Sequence, residues 1–169
     1  EAQAEFEQAA RVQPDLAISH FNLGVGCNLS GQIDQAEQHF REALRREPDY
    51  LLARQELGTL LAMTGRIAEA LPHLQAAAES QPQNPAAWRN FARAQALAND
   101  MPGAIAAYAH GVELQPDDVS AWILLAATEF DAGRITDASQ HYQRSLELDP
   151  GWPAARNAEA WMLATHLDP

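Results

Sequence analysis

Few residues in this chain have types and spacings that suggest chemistry. His39, His73 and His141 form an apparent set, but they stand 34 and 68 residues apart, at one register of a repeating pattern. Residues repeated in that way sit on packed helices about 8–10 Å apart, whereas zinc needs each nitrogen at about 2.0–2.1 Å. They are expected to be exposed, and neither a metal nor a cofactor is expected. Cys27 is the single cysteine, so it forms no intramolecular disulfide, and its neighbours supply no base or oxyanion donor. It reads as a packing residue, as does His20. Asp117, Asp118 and Asp149 precede expected helices and read as caps. Glu129 falls in a column suited to packing, so it is expected to be half-buried or to meet Arg93 or Arg156. The chain contains no G-x-x-x-x-G-K-[ST], no G-x-G-x-x-G and no H-E-x-x-H. No catalytic residue is assigned, and the chain is not expected to be an enzyme on its own.

Arg89 and Arg93 are the sharpest signal, one helical turn apart in a chain of formal net charge -12. Two guanidiniums so placed hold a carboxylate by forked hydrogen bonds. The plainer reading pairs them with Glu56, Asp131 or another unit's acids. The acidic balance excludes a nucleic-acid partner, because phosphate binding needs clustered basic residues. All eleven basic residues are Arg, a bias that suggests GC-rich coding and a bacterial source. With 47% apolar and 20% charged residues the chain can bury a core, and no 18-residue apolar run crosses a membrane. The acidic start lacks a signal pattern and an initiating Met, so the chain reads as a fragment or a processed product. It is expected to be soluble, in a bacterial cytoplasm or periplasm.

The elements that must position these residues follow from an internal repeat. Proline recurs at Pro14, Pro48, Pro82, Pro116 and Pro150, always 34 residues apart. Ala2, Ala36, Ala70, Ala104 and Ala138 keep the same register. A large side chain follows each (Phe6, Phe40, Leu74, Tyr108, Tyr142), then a small one (Ala9, Ala43, Ala77, Gly111, Ser145). Ala36, Phe40 and Ala43 are spaced four and three apart, which puts them on one helical face. Upstream lies a second stripe, Leu23-Gly24, Leu57-Gly58, Phe91-Ala92 and Leu125-Ala126, whose small members permit close helix contact. Gly31, Gly65, Asn99 and Gly133 tolerate the left-handed end of a first helix. Asp34 with Glu37 resembles a capping box, Thr136 can cap, and Pro85, Pro102 and Pro153 suit a first turn. The spacing predicts helices near 2–12, 17–30, 34–47, 51–64, 68–81, 85–98, 102–115, 119–132, 136–149 and 153–166. Pro72 is expected to kink or weaken its helix.

This pattern resembles the tetratricopeptide repeat, W-x2-L-G-x2-Y, then A-x3-F, then P. Trp88-Phe91-Ala92 with Ala104-Tyr108-Pro116, and Trp122-Leu125-Ala126 with Ala138-Tyr142-Pro150, carry the likeness most fully. His20 and Arg54 replace the Trp in earlier units, and Cys27, Leu61, Gln95 and Glu129 replace the usual Tyr. The resemblance spans the whole chain as one array: residues 1–14 as the second helix of a truncated repeat, full repeats at 15–48, 49–82, 83–116 and 117–150, and a capping helix at 151–169. It implies an all-α, right-handed superhelix of antiparallel helix pairs, with a concave surface lined by the first helix of each pair.

On that surface the resemblance places Phe21, Asn22, Val25, Gln55, Arg89, Asn90, Arg93, Ile123, Phe130 and Trp161 as the candidate binding residues. Mixed apolar and polar side chains suit an extended peptide or a partner helix. Some relatives grip a chain terminus with a clamp of Lys and Asn; the matching places here hold Phe21, Val25, Glu56, Ala86 and Asn90, so that specificity is not expected. An asparagine ladder is kept at Asn22 and Asn90 but broken at Glu56, Leu124 and Ala158. The expected function is a protein-interaction scaffold that binds a peptide or partner protein in the concave groove. A first alternative is a self-associating module, because Trp161, Met162 and Leu163 are more apolar than a terminal cap requires. A second is the recognition arm of an enzyme whose catalytic domain lies outside this segment.

Overall fold

A computed structural model of the protein describes residues 16–151, together with residues 153, 156 and 157. Among these residues every regular element is helical: α1 (Ala17–Leu29), α2 (Ile33–Arg46), α3 (Leu51–Met63), α4 (Ile67–Ser80), α5 (Pro85–Leu97), α6 (Met101–Leu114), α7 (Val119–Asp131) and α8 (Ile135–Leu148). All eight begin and end within one residue of the expected bounds. The expected helix at 2–12 and most of that at 153–166 lie outside the described residues.

The turns inside the hairpins explain this agreement. Gly31, Gly65, Asn99 and Gly133 have φ of 74°, 80°, 63° and 77°, the left-handed conformation that terminates a helix. After α1, the Gly31 amide donates to the Asn28 carbonyl and the Gln32 amide to the Cys27 carbonyl. The same two bonds recur after α3, α5 and α7, so the last carbonyls of each first helix are satisfied and the chain reverses within three residues.

Helix starts agree less evenly. Asn84 and Asp118 accept from the amides of Ala86 and Ala121, so the Asp118 cap stands, and Asp100 accepts from Gly103 ahead of Pro102. Asp149 instead accepts from the Gly151 amide across a turn. The capping roles expected of Asp34 and Thr136 are corrected. Each helix starts one residue earlier, after Gln32 and Arg134, and neither of those side chains caps. Glu37 holds Arg41 and Arg66 instead. Pro72 lies exposed inside α4, and the helix continues through it.

The chain divides into two compact units between Ser80 and Gln81. In the first, α1 packs on α2, α2 on α3 and α3 on α4. Its core is Phe40, Leu57, Leu61 and Leu74, each at most 2% exposed. A side chain of this size contributes about 1.5–3 kcal/mol when fully buried. In the second unit, α5 packs on α6, α6 on α7 and α7 on α8. Ala92, Ile105, Tyr108, Val112 and Leu125 form its larger core cluster, with Trp88, Phe91 and Trp122 packed partly buried against it.

Candidate partner-binding faces of the first helices

In the first unit the candidate residues lie on α1 and α3. Phe21 is half-buried, its ring centroid 5.2 Å from that of Tyr50 and 6.0 Å from that of Phe40. It is therefore part of the hairpin's packing and still reaches solvent. Asn22, Val25 and Gln55 are also half-buried. Glu56, one repeat after Asn22, is half-buried with no hydrogen bond or ion pair among the described residues, and burial pushes its carboxyl above the usual range. Leu29 and Met63 end α1 and α3 with 76% and 68% of their surfaces exposed.

In the second unit the two arginines separate. Arg89 donates to Asp118 at 3.2 Å, the same carboxylate that caps α7, and so ties α5 to the start of the next first helix. The plain ion-pair reading holds for Arg89, with Asp118 in place of Glu56 or Asp131. Arg93 is exposed and makes no ion pair among the described residues. Both guanidiniums lie near the buried Tyr108 hydroxyl: burial raises its pKa, and Arg93 and Arg89 partly offset this. Asn90 is half-buried. Ile123 and Phe130 pack on Ala126, Ala138 and Tyr142 and keep part of their surfaces open. Trp161 lies outside the described residues.

The histidine column proves to be packing that spacing alone did not reveal. His39, His73 and His141 are half-buried, which corrects the expectation of exposure. His39 packs on His20, with ring centroids 5.5 Å apart, and His141 on Trp122, with centroids 5.3 Å apart. Burial lowers the pKa of His73, and Arg54 and Arg41 lower it further against Glu69. His39 and His141 therefore each meet the first-helix residue that stands where the repeat carries Trp, and His73 feels the charge of its counterpart, Arg54. Glu129 is also corrected. It is 2% exposed, and its carboxylate lies 2.6 Å from His141 Nδ1, not against Arg93 or Arg156. A helix-periodic pattern assigns Glu129 to the packing face, but its partner is on the other helix of the hairpin.

A bond from the first helix back to the loop that leads into it was also not foreseen. Trp88 Nε1 donates to the Pro82 carbonyl at 3.1 Å and Trp122 Nε1 to the Pro116 carbonyl at 2.9 Å. Arg54 donates to the Pro48 carbonyl in the same way, which explains how Arg serves in a Trp column. Cys27 is buried, as a packing residue should be. No helix among the described residues is long and apolar enough to cross a membrane.

A tetratricopeptide repeat profile matches residues 29–89, 61–128 and 95–162, and a second one matches residues 1–50. The chain belongs to the tetratricopeptide repeat family. Its fold is all-α, of the superhelical hairpin class that the repeat defines. Among solved tetratricopeptide structures, YrrB, described as having an unusual peptide-binding site, is 21% identical with a TM-score of 0.83 over 94% of this chain and 81% of its own. MamA from Desulfovibrio magneticus RS-1, residues 41 to the end, is 19% identical with a TM-score of 0.82 over 89% of this chain and 85% of its own. MamA AMB-1 is 22% identical with a TM-score of 0.79 over 87% of each chain. At these identities the likeness is one of fold. No curated protein matches the sequence.

Proposed function

We propose that this tetratricopeptide chain is a protein-interaction scaffold that holds a peptide or partner protein against the half-exposed faces of its first helices. The observation that carries the reading is Arg93, an exposed guanidinium without an ion pair among the described residues, in a row that also presents Asn90 and Arg89. A ligand carboxylate there gains forked hydrogen bonds to Arg93, and Arg89 adds positive charge from one turn away. Ile123 and Phe130 offer apolar surface for the ligand's flanking side chains. In the first unit Phe21, Asn22, Val25 and Gln55 form the corresponding face, and the desolvated Glu56 favours a basic group beside them. Family membership supports the reading, and so does the peptide-binding site for which YrrB is described.

Selection from a random peptide display library, followed by titration of an enriched acidic peptide, tests the proposal. Replacing Arg89 and Arg93 together by Ala weakens binding by about 2 kcal/mol or more, roughly thirtyfold. Arg93→Ala alone accounts for most of the loss, because Arg89 is already committed to Asp118. Unchanged affinity in both variants refutes the carboxylate reading, and a library from which nothing is enriched refutes the scaffold reading.

A further inference from the structure

Apart from His20, the first helices of the first unit carry two charged side chains, Arg54 and Glu56, and only one of them is paired. Arg54 is committed to the Pro48 carbonyl and to Asp49. Glu56 has neither a hydrogen bond nor an ion pair among the described residues, and burial pushes its carboxyl up with no arginine to oppose it. A half-buried carboxylate loses hydration, and nothing among the described residues replaces it. Apolar side chains flank it along α3: Leu52 four residues before and Met63 seven after, 50% and 68% exposed. Ile18 and Leu29 flank Asn22 at the same intervals on α1, again largely exposed. Intervals of four and seven keep each set on one helical face.

Within the scaffold reading, on which this rests, we propose that the open face of α1 and α3 receives an amphipathic helix of the partner. A lysine or arginine of that helix meets Glu56, and its apolar side chains cover Leu52 and Met63. Charge selects a basic residue, because Glu56 is the only carboxylate of the two helices and Arg54 is already engaged. A partner N–H then supplies the hydrogen bonds that burial has taken from water. Spacing selects the conformation. At 1.5 Å per residue, Leu52 and Met63 stand about 6 and 10.5 Å from Glu56 along the helix axis. A partner helix lying along α3 matches both distances with residues four and seven away from its cation, all on one face. An extended peptide, at about 3.3 Å per residue, needs two and three residues, and the third side chain points the other way. A helix therefore covers the whole strip, and a strand only part of it.

The test is selection by the whole chain from a display library built on an alanine-rich helix of about 20 residues, long enough to stay helical. Four positions on one face, i, i+4, i+7 and i+11, are randomised, so that both directions along α3 are sampled. Enriched helices carry apolar residues at the outer positions and Lys or Arg at one inner position. Glu56→Gln weakens the best of them at least tenfold, while Arg93→Ala leaves it unchanged. Selection by Glu56→Lys replaces the inner basic residue with Asp or Glu. Circular dichroism checks that each variant keeps its helices. Enriched helices without a basic inner residue, or affinity undiminished in Glu56→Gln, overturn the proposal. If no helix is enriched while acidic peptides still bind through Arg93, this proposal alone fails; if neither library yields a ligand, the scaffold reading fails with it.

Discussion

Two helical glycines predict opposite responses to the same substitution. A methyl group built at Gly24 would lie 2.6 Å and 2.7 Å from two ring carbons of Phe40, where ordinary carbon contacts are about 3.5–4.0 Å. Phe40 is fully buried and its ring has Phe21 as a neighbour, so it cannot swing clear without disturbing the core. Overpacking of this kind costs about 1–3 kcal/mol, and the better helix propensity of Ala returns about 1 kcal/mol. Gly24→Ala is therefore expected to destabilise by up to about 2 kcal/mol. At Gly111 the nearest atom to the same methyl is the Pro85 carbonyl oxygen at 3.9 Å, which is ordinary contact. The propensity gain there is unopposed, so Gly111→Ala should stabilise by about 1 kcal/mol. For a chain of this length that is a rise of about 2–4 °C in Tm. Urea titrations followed by circular dichroism read both effects as midpoint shifts, which suits a repeat chain whose units need not melt together. Equal shifts in one direction would refute the assigned contact between α1 and Phe40.

Two further predictions concern charge inside the hairpins. Glu129 occupies the column in which Leu61 is fully buried, so Glu129→Leu should stabilise by about 1 kcal/mol or more, while His141→Ala should destabilise by about 3 kcal/mol by stranding the carboxylate. Denaturant midpoints check both, and a less stable Glu129→Leu protein would contradict the assigned packing. The second concerns pH. His20, His39 and His73 are held below the ordinary histidine value, chiefly by burial, so the unfolded chain takes up their protons first. Stability should be flat above about pH 7 and should fall as pH drops through the unfolded value of about 6.5 towards the folded ones. Denaturant midpoints at pH 7.5 and 6.0 measure this, and a midpoint that rises on acidification would refute it.

The helices, their ends and their pairing were legible because each signal is local. A glycine or asparagine at the left-handed position stops a helix wherever it stands, and a large side chain between two small ones, four and three residues apart, marks a close contact within one hairpin. The same locality made Arg89 and Arg93 visible as neighbours on α5. It did not reveal that Asp118, 29 residues later, occupies Arg89 and leaves Arg93 exposed. Nor did it show His141 turned onto Glu129 or His39 turned onto His20. Those pairings join residues on different helices, and the angle at which the helices pack determines them. Sequence alone therefore determined the repeat, because its 34-residue period acts through backbone conformation and the size of a few side chains. Tertiary structure decided which charged and aromatic groups are paired and which stay open to a partner, because hydrogen bonds and ion pairs act over about 3 Å and periodicity does not specify distances that short.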